Sequence, residues 1–380
     1  MTTDGEIDDR CSMIRFLLYT NEWDLQGLIH SSSKFHWKGD KEHKKQDWEP
    51  VSWLDRQLDA YEAIYDNLKQ HDSRYPTPAD LRARVYVGNI AYEGAMDEET
   101  PGSDHIVSVL LEDDPTEIWL QAWGGANTIA RALKTIQEKH PERMADVVQK
   151  ARLYLIAEQD NTLRTYILKE WPELQVLLSD WDSFGAIAYG WSKFQTTESK
   201  RYFKQDWMMS HILENHGPLC SMYEHKENRF RSEGDSPAFL HVIPTGLRSH
   251  EQPGYGGWGG RFVRQNELWI TKDKRNSNPH SIVRWSIDFQ NDWAARADWC
   301  VNSYEDSNHP PEIKSNSSKS ITSTVGSTVE LDVSGSQDPD GDQLTYEWFY
   351  YREASDYDGT LKISDPSQAT TWLFVQRCQN

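Results

Sequence analysis

The sequence predicts an α/β protein, a mostly parallel sheet covered by helices, followed by a small β-sandwich. Three observations carry that expectation. Over roughly the first 300 residues, short apolar runs alternate with segments whose apolar residues recur at helical spacing. After about Cys300 the helical period disappears and strand-like alternation replaces it. Hydrophobic residues make up 37% of 380, enough for a sizeable core, and no run of about 18 apolar residues offers a membrane span.

The elements follow in order. Residues 2–9 read TTDGEIDD, and Arg10 to Tyr19 places Met13, Ile14, Phe16, Leu17 and Leu18 on a helix. Asp24 to Ile29 is a short strand that runs into the polar His30-Ser31-Ser32-Ser33. Trp53 to Gln70 reads as a helix, Ala83 to Val87 as a strand and Ile106 to Glu112 as a helix. Glu117 to Trp123 is a strand, Gly124-Gly125 a turn, and Thr128 to Lys139 a helix. Leu153 to Ala157, Leu163 to Glu170 and Leu174 to Leu178 repeat the strand–helix–strand order of a parallel sheet. Beyond His309-Pro310-Pro311, Val329 to Val333 and Leu344 to Trp348 alternate apolar and polar around the turn 338–342. The expected domains are therefore 1–308 and 309–380, the second short of strands for a full sandwich. No repeat of 20–50 residues is apparent.

Composition excludes several functions. Lys and Arg number 40 against 60 Asp and Glu, a net charge of −20, so neither nucleic acid nor an anionic membrane is expected as the main partner. Aromatic residues at 12% argue against wholesale disorder. The 17 Trp suit both sugar stacking and core packing. Cys11, Cys220, Cys300 and Cys378 lack CxxC spacing, so no thiolate metal site is expected and their pairing stays open. The chain has no basic and apolar leader, and it opens so abruptly on its motif that an upstream segment is expected to be missing.

Asp4, Glu6, Asp8 and Asp9 place four carboxylates within six residues. Such packing is costly unless a cation neutralises it, and an all-oxygen donor set favours Ca²⁺ or Mg²⁺. A helix N-terminus behind Asp8 and Asp9 also favours negative charge. A water held there beside a carboxylate would be a nucleophile with a built-in base. The plainer alternative is a capped, solvated acidic turn.

TTDGEIDD, followed by a helix and the strand DLQGLI, resembles the DxDxGxDD signature of the inosine–uridine-type nucleoside hydrolases. WGGANTIARAL (Trp123–Leu133), HGPL (His216–Leu219), EGDSPAFLHVIPTGL (Glu233–Leu247) and GYGGWGGR (Gly254–Arg261) are similar to a secreted nucleoside-hydrolase-like branch described as cellulose-binding. The likeness spans roughly residues 2–300 and implies a nucleoside-hydrolase-like α/β fold with one Ca²⁺ at the base of the pocket. It implies Asp4 as metal ligand and general base, Asp9 as bidentate ligand, and Asp8 as the carboxylate that meets a sugar hydroxyl and the water. Asn127 falls where the family lends a backbone carbonyl to the ion, and Asp235 on its late metal aspartate.

The departures are Thr2 for the first signature aspartate, Glu6 for its glycine, and Gly234 where the family often has a proton-donating histidine. Ser31, Ser32, His36 and Trp37 stand where the ribose-holding asparagine is expected, so Ser32, His36 and Trp37 are candidate sugar contacts. The water-activating half is kept and the leaving-group half rewritten. Candidate acids are Glu233 first, then His216 and Glu158. In the glycine-rich loop, Trp258, Tyr255 and Arg261 are candidate substrate contacts; its spacing is not that of a P-loop. Trp123 reads as core, and Trp181 as a weaker sugar-stacking candidate.

The tail VELDVSGSQDPDGDQLTYEW resembles polycystic-kidney-disease or Ig-like modules of secreted carbohydrate-active enzymes, which implies an extracellular or periplasmic protein. Taken together, the expectation is a Ca²⁺-dependent glycosidase acting on a carbohydrate or glycoside, and a homo-oligomer is compatible with it. A non-catalytic carbohydrate-binding protein is the alternative, and a true nucleoside hydrolase the third reading.

Overall fold

The computed structural model describes residues 1–224, 229–273, 277–357, 359 and 361–375. The chain divides into two compact units, Met1–Asn302 and Ser303–Asn380. Cys378 lies outside the described residues.

The first unit is built on strands β1 (Thr2–Thr3), β2 (Leu28–His30), β3 (Val85–Val87), β4 (Ile118–Ala122), β5 (Ala151–Leu155), β6 (Gln175–Leu178), β7 (Phe262–Gln265) and β8 (Leu268–Thr271). Their order across the sheet is β3-β2-β1-β4-β5-β6-β8-β7, all parallel except the β7–β8 pair. Tyr154 faces one core with Phe16 and Phe239, while Leu153 and Leu155 face the other with Leu133 and Ile136. Period-two alternation thus buries both faces, as a parallel sheet requires. Helices α1 (Ile7–Leu17) and α2 (Ser52–Glu62) cover the first face. Helices α3 (Pro101–Leu111) and α4 (Asn127–Lys139) cover the second. A later helix, α5 (Ser286–Asp298), adds Phe289 and Trp293 to the first. Trp53, Trp123, Trp171 and Trp293 are fully buried, so part of the tryptophan excess is core.

Several elements differ from the expected ones, for identifiable reasons. The helix read over 53–70 breaks into Ser52–Glu62 and Tyr65–His71. Ile64 tucks into the core at the break and takes φ −111°. Helix α3 begins five residues earlier than read, because Thr100 and Ser103 form a reciprocal cap and Pro101 occupies the first turn. Ala83 ends a short helix, so β3 is only Val85–Val87.

In the second unit, β9 (Thr328–Asp332), β10 (Lys362–Ile363) and β11 (Thr370–Phe374) form an antiparallel sheet in the order β10-β11-β9. The Leu344–Trp348 alternation forms no strand: the Trp348 amide donates to Pro366 O (2.7 Å) and its indole N–H to Gln368 O (2.7 Å), ties to a loop instead of a ladder.

Cys11, Cys220 and Cys300 are buried free thiols; the Cys220 and Cys300 sulfurs lie 4.0 Å apart.

Candidate metal centre

The site lies where the central strand β1 ends and its chain turns into α1, at the carboxyl edge of the parallel sheet where open α/β folds place ligands. The turn is made by Gly5, at φ +77°, a left-handed conformation that favours glycine. A side chain there would also meet Trp53 Nε1 at 2.5 Å. The compact turn puts Asp4 directly above the first turn of α1. Thr3 Oγ1 donates to Asp9 Oδ1, as does the Asp4 amide (3.2 Å), so Asp9 is pinned by the strand it follows.

Asp235 arrives from 226 positions beyond Asp9, at the turn before the helix Ser236–Leu240. Carboxylate oxygens of Asp8, Asp9 and Asp235 all lie within 4.8 Å of one another, and all three residues are buried. Among the described residues this is the one such group. Asp4 Oδ2, Asp8 Oδ1 and Asp235 Oδ2 are buried with no hydrogen-bond partner. Buried acceptors are ordinarily satisfied, so the unpartnered oxygens on Asp8 and Asp235, two of the three grouped carboxylates, fit a shared cation, while Asp4 Oδ2 faces His36.

The titration of the group points the same way. Burial, reinforced by the negative charge of Asp4, holds the Asp9 carboxyl well above its usual range. Burial and the charges of Asp9, Asp8 and Asp4 do the same to Asp235. Asp8 is pushed up to about 6 by burial and by Asp9 and Asp4, although a hydrogen bond from Glu6 opposes this. Glu6 is pushed up to about 10 by burial and by its contact with Asp8. Asp4 alone sits below its usual value: burial raises it, but His36 and a proton shared with Asp9 outweigh that. Without a cation the cluster must keep protons. An all-oxygen, multiply anionic donor set of this kind fits a hard divalent ion such as Ca²⁺.

His36 closes one side. Its Nδ1 lies 3.6 Å from Asp4 Oδ2 and 3.4 Å from Glu6 Oε2. Burial lowers its affinity for a proton, yet Asp4 and Glu6 overcome that and leave it raised. Behind it, His30 is buried and held down to about 4, with Nε2 3.4 Å from the Asp4 carbonyl.

Other expected site residues lie elsewhere or are already occupied. Asn127 is a clamp: its Nδ2 donates to Ser32 Oγ (3.0 Å), Asn89 O (2.8 Å) and Ala95 O (2.9 Å), and its Oδ1 accepts from Ser31 Oγ (2.9 Å). Its side chain therefore joins the loops after β2 and β3, and only its main-chain carbonyl is left for the role the resemblance implies. Ser32, fully buried and donating to Tyr92 O (2.8 Å), belongs to that clamp and not to a sugar contact. Trp37, half-buried, spends its indole N–H on Lys44 O (2.7 Å), bracing its own loop.

Three expectations are corrected outright. Glu233 is not available as a general acid, because its carboxylate is paired with Arg15 (Oε2 to Nε 2.7 Å) and accepts from Ser236 Oγ (2.8 Å). His216 is a structural residue: its Nε2 meets Asp298 Oδ1 at 3.1 Å, at the end of α5. Arg261 cannot reach a substrate, since it is 2% exposed and ion-paired to buried Asp273 at 2.8 Å. Trp258 packs edge-on against Phe289 (6.3 Å) and the core. Glu158 is ion-paired to Arg164 at 2.6 Å. Trp181 and Tyr255 are exposed, the former edge-on to Phe184. Gly234 stands where the family often has a histidine, and a Cβ there would meet Asp8 Oδ2 at 2.5 Å, so a side chain at this position would have to displace the Asp8 carboxylate.

The Glu233 correction predicts a stability effect. Glu233→Gln leaves the Arg15 guanidinium without its counter-charge, among the Phe289 and Trp293 rings. The expected cost is roughly 3–5 kcal/mol, read as a shift in denaturation midpoint. A variant as stable as the wild type would return Glu233 to the list of available acids.

Trp48 escaped the sequence reading. It stacks on His30, with ring centroids 4.3 Å apart and planes 11° off parallel. The signal was present: one aromatic in the otherwise charged stretch KEHKKQDWEP.

Comparison with known proteins places this geometry in context. Residues 1–262 match the family model described as cellulose-binding Sde182, nucleoside hydrolase-like domain. Residues 328–379 match the model of cellulose-binding protein Sde0182, C-terminal domain. A solved structure, of a nucleoside hydrolase-related hypothetical protein from Saccharophagus degradans that is associated with carbohydrate metabolism, is similar at a TM-score of 0.82. Its sequence is 32% identical, over 99% of this chain and 90% of that one. No curated protein matches.

Proposed function

The chain belongs to the cellulose-binding Sde182 family with a nucleoside hydrolase-like domain, and from that premise we propose a Ca²⁺-dependent glycosidase acting on a β-glucan-type carbohydrate outside the cell. The observation that carries the reading is the convergence of Asp8, Asp9 and Asp235, with orphaned buried oxygens, beside Asp4 at the sheet's carboxyl edge. Asp8, Asp9 and Asp235 would hold the ion, with Asp4 alongside and the Asn127 carbonyl in the role the family resemblance implies. The ion supplies neutralisation of the cluster and polarisation of a nearby water.

The chain's own residues do the rest. Asp4, kept ionised beside His36, accepts the proton of the attacking water. Asp8 accepts a hydrogen bond from a sugar hydroxyl and orients the ring. His36 and Glu6 stand next to Asp4 on the more open side, where a leaving group departs. A nucleobase is disfavoured as that group because Gly234 offers no side chain to protonate it.

One observation favours a second reading, a carbohydrate-binding protein with a structural ion: Glu233 is ion-paired to Arg15, and His216 Nε2 is spent on Asp298 Oδ1.

Elemental analysis of protein purified without chelator, with product assays on cellohexaose, inosine and uridine, separates the readings. The expected result is one calcium per chain and sugar release that EDTA stops and Ca²⁺ restores. No calcium bound at millimolar concentration would sink the metal assignment. Cellohexaose binding without product would move the protein to the second reading, and free base from inosine or uridine to a nucleoside hydrolase.

A further inference from the structure

Beside the acidic cluster runs an open groove of about 670 Å³, within the roughly 300–1,000 Å³ range of ligand sites. Glu6 and His36 belong to both: they line the groove, and His36 stands 3.6 Å from Asp4. We propose that this groove is a glycan-binding cleft that carries further sugar units of the substrate up to Asp4, with Trp48 as its stacking platform. The inference rests on the glycosidase reading above and names where an oligosaccharide lies in that same site.

Trp48 is positioned for this. Its ring is stacked on His30, which is itself buried against the Asp4 carbonyl, so the indole plane is held before a ligand arrives. The indole lines the groove and is only partly buried. A pyranose ring offers a face of C–H groups that suits the negative face of an aromatic system. Around it, Lys45 and Glu49 are exposed, and Arg10 is braced by Glu224 and by the Gly5 carbonyl (2.7 Å). Both signs of charge line this wall, which gives donors and acceptors for hydroxyl groups without an attractive field for phosphate. The neighbouring aspartates and the net charge of −20 reinforce that bias. The ligand class is therefore a neutral oligosaccharide and not a nucleotide.

The test measures binding of a non-hydrolysable, thio-linked cellohexaose to the calcium-loaded full chain by calorimetry. Trp48→Ala is expected to weaken binding at least tenfold and Trp48→Phe to keep it within about threefold of wild type, with calcium affinity unchanged in both. Trp48→Ala binding as tightly as wild type overturns the cleft, and so does a wild type that binds no oligosaccharide. Joint loss of glycan and calcium affinity in both variants also overturns it, since Trp48 would then serve only to support His30. The glycosidase reading fails separately, when wild type binds the thio-linked probe in a Trp48-dependent way yet releases nothing from cellohexaose.

Discussion

Asp4→Asn is expected to lower turnover of cellohexaose by about a hundredfold to ten-thousandfold, the range over which a general base contributes. The amide keeps the shape of the carboxyl and cannot take a proton from water. The main-chain contacts at residue 4 are untouched: its amide still donates to Asp9 and its carbonyl still faces His30. Two effects on the calcium-free fold oppose each other: the Asp4 charge helps raise Asp8, Asp9 and Asp235, but His36 and Asp9 hold the ionised Asp4 below its usual value, so its charge also supports the fold. The diagnostic readout is therefore the initial rate at saturating Ca²⁺, which should collapse while the variant stays folded. Retained turnover would remove Asp4 from the chemistry.

Calcium removal is expected to destabilise the protein more as pH rises. Asp8, Asp9 and Asp235 bind protons more tightly in the folded chain than an exposed aspartate does. Without a cation the folded state thus holds more protons than the unfolded one, and stability falls as pH climbs. The fall begins near the unfolded value of about 3.9 and continues through the Asp8 value of about 6, with Asp9 and Asp235 extending it upward. Asp8 by itself accounts for on the order of 3 kcal/mol across that window. Calcium bound by the ionised carboxylates is expected to cancel the loss. Thermal melts from pH 4.5 to 8 should show the gap between calcium and EDTA opening by several degrees toward pH 8. A gap that stays constant with pH would mean the carboxylates are not the calcium ligands.

Much of this was legible in the residues. The alternating apolar runs dictated a parallel sheet because a strand buried on both faces must be apolar throughout; β4 and β6 fall within the segments read as strands, and β5 begins and ends two residues earlier than read. The cluster of Asp4, Asp8 and Asp9 was visible because its members are neighbours in sequence and one turn brings them together. Asp235 was reached only through a motif resemblance. The break at Ile64 was hidden, since nothing local forbids the helix there and packing of Ile64 into the core decides it.

The sequence by itself determined the fold class and the acidic turn. The tertiary structure alone decided which polar residues remain available for chemistry. Glu233, His216 and Arg261 have the side chains a site needs, but each meets its partner 218, 82 or 12 positions away, in Arg15, Asp298 and Asp273. Trp48, unremarkable in a charged loop, meets His30 and becomes the wall of a groove. A buried charge must find a counter-charge or lose its ionisation, and that requirement is met by whichever group the fold delivers, at a sequence distance that local pattern does not encode.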